Sequence, residues 1–213
     1  MADRTLAAGI EHPRRGLAAL AVLAALGAVA CGGGAQLRTG TEGGEWRYYG
    51  GDPAGSRYSP LAGIDAANVD RLAVAWQWSS ESLGQKGRPD SYLRTTPLMI
   101  GGRLYATAGR VRSVVALDAA TGETLWVFTP DEPERAGGSR GGSGRGVAYW
   151  RGDGEGRLFF VSRSFRLFAL DPGSGEPVAD FGDGGEVDLT QGRGPHVREN
   201  SVTSTSPPLV VGD

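Results

Sequence analysis

An internal repeat restricts the fold of this 213-residue chain more than any other feature of its sequence. Residues 102–105 (GRLY) recur 54 positions later as residues 156–159 (GRLF), and residues 116–118 (ALD) recur 53 positions later as residues 169–171. A period of this length, built from short apolar runs between turn residues, is typical of the blades of a β-propeller.

The repeats divide into strands and turns. The first copy predicts four strands and the second copy two, over residues 98–100, 103–107, 113–117, 124–128, 158–162 and 165–170. Gly101-Gly102 is a favoured two-residue hairpin turn. In the turn DAATG, Asp118 can accept hydrogen bonds from the turn amides, and Gly122 can take a positive φ. The corresponding turn of the second copy ends at Gly175.

The composition agrees with an all-β fold rich in tight turns. The chain contains 36 Gly and 12 Pro without a collagen period, and its hydrophobic content of 39% is too high for a disordered chain. A net charge of −2 gives no support for nucleic-acid binding. The only cysteine is Cys31, and His196 is the only histidine outside the N-terminal segment, so a zinc site of several Cys and His is excluded.

The last residues resemble the opening of a third repeat. Residues 97–101 (PLMIG) recur as residues 208–212 (PLVVG), which predicts a strand at residues 209–211 and about two and a half blades in all. Because propellers close with roughly four to eight blades, we expect the chain to be the N-terminal fragment of a longer protein.

The N-terminus predicts export from the cytoplasm. Arginines precede an apolar run at residues 17–30, which is too short to span a membrane and typical of a signal peptide over residues 1–30. Two processing routes fit: ordinary cleavage after Ala30, or lipidation of Cys31 as the first mature residue. Residues 31–44 would then form a Gly-rich tether. Both routes predict a protein of the periplasm or cell envelope, and the second adds a membrane anchor.

Residues 116–126 (ALDAATGETLW) match the tryptophan-docking motif AxDxxTGxxxW, in which Trp126 would pack flat against the turn of the next blade. The second copy has Ala179 in the tryptophan position. The motif resembles that of the eight-bladed propellers of pyrroloquinoline quinone (PQQ) dehydrogenases. Further stretches are similar to the same family, and one of them, DFGDGGEVDL, to its membrane glucose dehydrogenase branch; they are residues 46–52, 57–61, 72–76, 145–150, 180–189 and 205–208. The resemblance therefore implies that residues 45–213 are the N-terminal part of an eight-bladed propeller.

The resemblance also implies three cofactor-binding residues. Arg145, in RGVAYW, would bind PQQ, a tricarboxylate with an ortho-quinone, through its guanidinium fork. Thr205 would donate its hydroxyl to a PQQ carboxylate. Arg94 stands where the family usually has Glu or Gln near the cofactor, and an arginine there could also pair with a carboxylate.

Other family features are absent or belong to later blades. The methanol and ethanol enzymes carry adjacent cysteines near the position of Ser139-Arg140, so their absence favours the sugar or polyol branch. The catalytic aspartate and the calcium ligands are expected beyond Asp213, so no metal ligand is assigned here and residues 1–213 alone are expected to be inactive.

Two functions remain from different classes. The first is a PQQ- and calcium-dependent dehydrogenase that oxidises a sugar or alcohol by hydride transfer to the quinone and passes electrons to a respiratory-chain quinone or cytochrome c. The alternative is a non-catalytic propeller lipoprotein of the outer-membrane assembly type. Asp52, Asp118 and Asp171 are more simply turn or cap residues than acid–base groups in either case.

Overall fold

The computed structural model describes residues 40–83, 93–132, 142–152, 154, 156–192, 194 and 204–211, which fall in the unit Arg38–Asp213. The strands are β1 (Leu98–Ile100), β2 (Arg103–Ala108), β3 (Ser113–Asp118), β4 (Thr124–Phe128), β5 (Ala148–Trp150), β6 (Arg157–Val161), β7 (Arg166–Leu170) and β8 (Glu186–Asp188). Three single-turn 3-10 helices lie at Glu42–Gly44, Val69–Arg71 and Glu81–Leu83.

The strands form two four-stranded antiparallel sheets, in the orders β1-β2-β3-β4 and β5-β6-β7-β8. We call these the first blade and the second blade. Short connections favour this order because each strand pairs with the one that precedes it in the chain. Gly101 and Gly102 join β1 to β2 with φ values of 58° and 78°, the left-handed pair that a type I′ turn requires. The predicted all-β propeller repeat is confirmed.

The Asp-to-Gly turn has the same structure in both blades. Asp118 Oδ1 accepts hydrogen bonds from the main-chain N–H of Ala120 and of Thr121, at 2.9 and 2.8 Å. Gly122 closes the turn at φ 76°, and Gly175 does the same in the second blade. Asp171 Oδ1 likewise accepts a hydrogen bond from the main-chain N–H of Ser174 at 2.7 Å. The prediction that Asp118 and Asp171 are turn formers is therefore confirmed.

The main hydrophobic core lies between the two blades. Side chains from both blades pack together there, and the buried members are Leu98, Tyr105, Val114, Ala116, Val147, Leu158, Phe160, Phe168 and Leu170. Phe128 of β4 contacts this core from the first blade, with its ring centroid 5.4 Å from that of Phe168. Burial of each large apolar side chain stabilises the pair of blades by about 1.5–3 kcal/mol.

Trp126, in β4, docks on the turn of the second blade. Its Nε1–H donates to the main-chain oxygen of Pro172 at 3.1 Å. A Cβ placed on Gly175 would lie 2.4 Å from Cε3 of Trp126, so the indole ring covers a position that no side chain could occupy. The predicted tryptophan docking is confirmed.

Trp76 repeats this contact on the turn of the first blade, 50 residues earlier in the chain. Its Nε1–H donates to the main-chain oxygen of Ala119 at 3.2 Å, and a Cβ on Gly122 would lie 2.5 Å from its ring. Trp78 then packs against a second core of small side chains, Ala106, Ala108 and Val115. Residues 76–78 therefore contact the first blade in the same way that β4, the outer strand of the first blade, contacts the second blade.

The fourth strand of the second blade was not predicted. Pro177 and Val178 begin to pair with β7, but the chain then leaves the sheet and returns as β8, which lies inside the stretch DFGDGGEVDL. Ala179 is exposed and stands outside the ladder, so the tryptophan position of the motif is not an outer-strand position here.

Two further strand predictions need correction. β5, in the RGVAYW stretch, was not predicted as a strand; it pairs with β6 over three residues, which is too short for a periodic signal. The strand predicted at residues 209–211 is wrong: no described segment pairs with it, and Leu209 and Val211 are 75% and 83% exposed. A β-strand needs a hydrogen-bonded neighbour, whatever its propensity.

Candidate functional site

The loops that lead into β1 and β5 lie side by side. The main-chain N–H of Thr96 donates to the main-chain oxygen of Arg145 at 2.9 Å. The main-chain N–H of Arg94 donates to Oγ of Ser143 at 3.0 Å. Two of the three predicted binding residues, Arg94 and Arg145, therefore lie at the same end of the molecule, and both side chains are exposed.

Gly146 allows this close approach. Its φ is 133°, and a Cβ there would lie 2.8 Å from the main-chain oxygen of Thr96. Ser143, only 1% exposed, fixes the other side of the loop, because its hydroxyl accepts the Arg94 N–H and also donates to the main-chain oxygen of Gly144 at 3.2 Å. The Arg-Gly pair thus combines an outward guanidinium with a main chain held against the neighbouring loop.

The segment before residue 60 adds two polar side chains to this end. A hydrogen bond from the Thr96 hydroxyl lowers the pKa of Tyr49, and the guanidinium groups of Arg57 and Arg145 act in the same direction, against the effect of burial. The Arg57 Cζ atom lies 5.7 Å from the centroid of the Tyr49 ring. Tyr49 therefore lies near Thr96 and two arginines, and the group as a whole suits an anionic ligand.

A cavity of about 250 Å³ adjoins these residues. Its lining includes Tyr49, Arg57, Val147, Tyr149 and Leu209. Asp52 also contributes to the lining, but its carboxylate accepts hydrogen bonds from the Ser56 hydroxyl and main-chain N–H, and these bonds lower its pKa. Ligand pockets for small molecules usually measure about 300–1,000 Å³, so this cavity is one part of a site rather than a whole one.

Tyr49, Arg57 and Thr96 were not predicted as site residues. Tyr49 and Arg57 lie in stretches that the sequence analysis used only to support the family resemblance, and Thr96 precedes a predicted strand as an ordinary loop residue. No local pattern distinguishes them, because their convergence depends on contacts between segments about 40 to 100 residues apart.

The third predicted residue, Thr205, is exposed. The hydrogen bond that the structure describes in its segment is local, from the Ser204 hydroxyl to the main-chain oxygen of Ser206 at 3.3 Å. The part of the chain that the structure describes does not join Thr205 to Arg94 or Arg145, and the role of Thr205 stays a prediction.

Three other predictions concern the N-terminal region and metals. The signal peptide over residues 1–30 and the lipidated Cys31 lie outside the described residues and stay predictions, as does the tether, of which only residues 40–44 are described. Within the described ranges no helix has the length and apolar character to cross a bilayer. The same ranges contain no group of three or more His, Cys, Asp or Glu side chains arranged to hold a metal ion.

Known proteins resemble this chain in sequence and in fold. Residues 46–213 match the family described as "PQQ: Glucose/ethanol/alcohol dehydrogenase, beta-propeller domain". The glycerol dehydrogenase large subunit of Gluconobacter oxydans is 32% identical over 177 residues, which are 79% of this chain and 24% of that protein. The quinoprotein glucose dehydrogenase of the same organism is 29% identical over 181 residues, or 78% of this chain and 22% of that protein.

A solved structure supports the same relationship. The quinohemoprotein alcohol dehydrogenase from Comamonas testosteroni superposes with a TM-score of 0.58 at 28% identity, covering 74% of this chain and 21% of that one. The chain thus spans about a quarter of the length of these relatives or less. Since the family match covers nearly all of the chain from Trp46 onward, and the two blades dock as the propeller repeat requires, the chain belongs to the β-propeller family of the PQQ-dependent glucose, ethanol and alcohol dehydrogenases.

Proposed function

We propose that the protein is a PQQ- and calcium-dependent dehydrogenase that oxidises a sugar or an alcohol by hydride transfer to the quinone. The observation that carries the proposal is the Arg145 loop, which is hydrogen-bonded to Thr96 beside Tyr49 and Arg57. The relatives reported above are named as glycerol, glucose and alcohol dehydrogenases, which supports a sugar, polyol or alcohol substrate. Because these relatives are named as dehydrogenases, they support an enzyme over the alternative of a non-catalytic scaffold.

The chemistry of these side chains fits PQQ. The cofactor carries three carboxylates, and Arg57, Arg94 and Arg145 offer planar guanidinium groups at one end of the molecule. We expect Arg145 to bind a quinone oxygen or a carboxylate, Arg94 to pair with a carboxylate, and the Thr205 hydroxyl to donate to a carboxylate. When bound, PQQ would accept a hydride, that is, two electrons and one proton, from the substrate.

The loop residues would act by positioning. Gly146 holds the Arg145 main chain against Thr96, so the guanidinium starts from a fixed point and loses less freedom when it binds. The Thr96 hydroxyl stabilises the ionised form of Tyr49 and lowers the pKa of its hydroxyl, so these two side chains would face a ligand together.

The remaining catalytic parts would come from other blades of the propeller. We propose that the catalytic aspartate and the calcium ligands follow Asp213, and that electrons pass to a respiratory-chain quinone or to cytochrome c. Calcium would act as a Lewis acid toward the quinone. We further propose that residues 1–30 direct export and that Cys31 carries a lipid, so that the enzyme works in the periplasm or at the cell envelope.

The test uses the complete reading frame that contains these residues, expressed without residues 1–30. Addition of PQQ and calcium should give dye reduction with at least one aldose, polyol or short alcohol. Arg145→Ala should abolish this cofactor-dependent turnover because the cofactor loses a charge-assisted contact. Arg71→Ala is the matched control, since Arg71 is an exposed arginine of the helix Val69–Arg71 and should leave turnover unchanged. A folded protein that does not bind PQQ would contradict the proposal.

A further inference from the structure

Arg112 is a buried arginine in the turn between β2 and β3. Its residue is only 8% exposed, and its φ of 58° lies in the left-handed region, where non-glycine residues are uncommon. The neighbouring residues do not predict this burial, because a turn arginine normally extends into solvent. A buried, charged side chain on a residue with a strained main-chain conformation indicates a specific role for that residue.

The Arg112 side chain connects three main-chain segments. Its Nε–H donates to the main-chain oxygen of Gly142 at 3.4 Å. Its Nη1 donates to the main-chain oxygen of Val161 at 3.2 Å and to that of Ser162 at 3.5 Å. One planar guanidinium therefore joins the β2–β3 turn of the first blade to the end of β6 and to the loop that leads into β5.

Arg112 also packs against the Arg145 loop. A Cβ placed on Gly144 would lie 3.3 Å from Cδ of Arg112, so the glycine and the side chain are in close contact. Gly142 and Gly144 flank Ser143, whose hydroxyl accepts the Arg94 N–H. Arg112 thus supports from the inside the loop that Thr96 and Arg94 hold from the side.

The electrostatic environment of Arg112 is unfavourable to its charge. Burial lowers the pKa of the guanidinium, and the nearby Arg163 acts in the same direction, while Glu132 opposes them. The ion pairs that the described residues form do not include Arg112. A buried cation costs free energy unless polar groups or an opposite charge compensate it. Here the compensation comes from carbonyl oxygens, which a guanidinium fork can bridge and a lysine ammonium cannot match in geometry.

We propose that Arg112 is the positioning residue for Arg145: it fixes residues 142–145 from within and so sets the affinity of the Arg145 guanidinium for a carboxylate or quinone oxygen of PQQ. This inference rests on the proposed function. It assigns Arg112 no contact with the cofactor, because its hydrogen bonds go to the protein main chain.

A double-mutant cycle on PQQ affinity tests the inference. The complete reading frame, freed of cofactor, is titrated with PQQ in the presence of calcium, and binding is followed by tryptophan fluorescence as Arg112→Gln, Arg145→Ala, both changes together, or the control Arg71→Gln. We expect Arg112→Gln to weaken binding about 10- to 100-fold, as loss of a supporting partner does for the ligands of a metal site. In the Arg145→Ala background, Arg112→Gln should change the affinity by less than about twofold, because its effect passes through Arg145.

The outcomes separate the two proposals. If Arg145→Ala leaves PQQ affinity unchanged, the cofactor assignment of the proposed function fails. If Arg145→Ala weakens binding but Arg112→Gln weakens it equally with and without Arg145, the positioning inference is overturned. Arg112→Lys serves where Arg112→Gln does not fold: it keeps the charge and loses the fork. Retention of full affinity by that variant would overturn the inference, and a loss that disappears in the Arg145→Ala background would support it.

Discussion

The two blades share their docking contact but fill the space beside it differently. In the first blade Trp76 covers Gly122 and Trp78 packs on Ala106 and Val115. In the second blade Trp126 covers Gly175, and Phe128 packs on aromatic side chains at the matching positions, Phe160 and Phe168. A large side chain thus meets small ones at one interface, and aromatic rings meet at the other. The docking contact is the same in both blades, whereas the side chains that pack beside it differ in type and size.

Removal of the Phe160 side chain should give the largest loss of stability, and it tests whether the two interfaces differ. Phe160 is 1% exposed, and its ring stacks on Phe168 with centroids 5.2 Å apart. We expect Phe160→Ala to lower the free energy of unfolding by about 3–5 kcal/mol. The matched change at the small-residue interface, Ala106→Gly, should cost only about 1 kcal/mol. Urea denaturation followed by circular dichroism measures both losses. Equal losses would show that the aromatic interface does not depend on its side chains more than the small-residue interface does.

The docking glycines sharpen the comparison with a smaller effect. Gly122 and Gly175 both have φ 76°, and an added Cβ would overlap the indole ring in each case. Gly122→Ala and Gly175→Ala should therefore cost similar amounts, about 1–3 kcal/mol from backbone strain alone.

The control is Gly63→Ala, where an added Cβ has open space and φ is not positive. It should change the free energy of unfolding by less than about 0.5 kcal/mol. The same denaturation experiment applies. A loss confined to Gly175→Ala would mean that Trp76 is not equivalent to Trp126.

The smallest expected effect concerns the turn that both blades share. Hydrogen bonds from the main-chain N–H and the hydroxyl of Thr121 lower the pKa of Asp118. Because the pKa is lower in the folded protein, the carboxylate contributes stability above its unfolded pKa of about 3.9, and this contribution is lost as the pH falls through the folded value. Asp118→Asn should make stability less dependent on pH in this acidic range. Unfolding midpoints measured from pH 6 to pH 3 check this, and parallel curves for the two proteins would contradict it.

The sequence predicted the first blade almost to the residue but the second blade only in part. Strands β1 and β4 have their predicted bounds, because a Gly-Gly turn and an Asp-to-Gly turn mark their ends. β5 and β8 have three residues each, as β1 has, but neither is joined to the strand it pairs with by a two-residue Gly-Gly turn, so each is defined only by its pairing partner.

The candidate site shows the same division between local and distant information. Arg145 was predicted as a site residue because its motif is contiguous in the chain. Tyr49 and Arg112 were not, since each acquires its surroundings from loops far away in sequence. No pattern in the neighbouring residues predicts that an arginine is buried against main-chain carbonyls.

The stacking of an indole on a glycine also bears on how such a protein can grow by gene duplication. Trp126 and Gly175 belong to different repeats, as do Trp76 and Gly122. A tandem copy of the first repeat, which holds both Gly122 and Trp126, therefore inherits one ring and one bare glycine. The new unit can receive the ring of the unit before it and supply a ring to the unit after it. Each duplication would thus add a blade in register, and no new type of contact between blades would be needed.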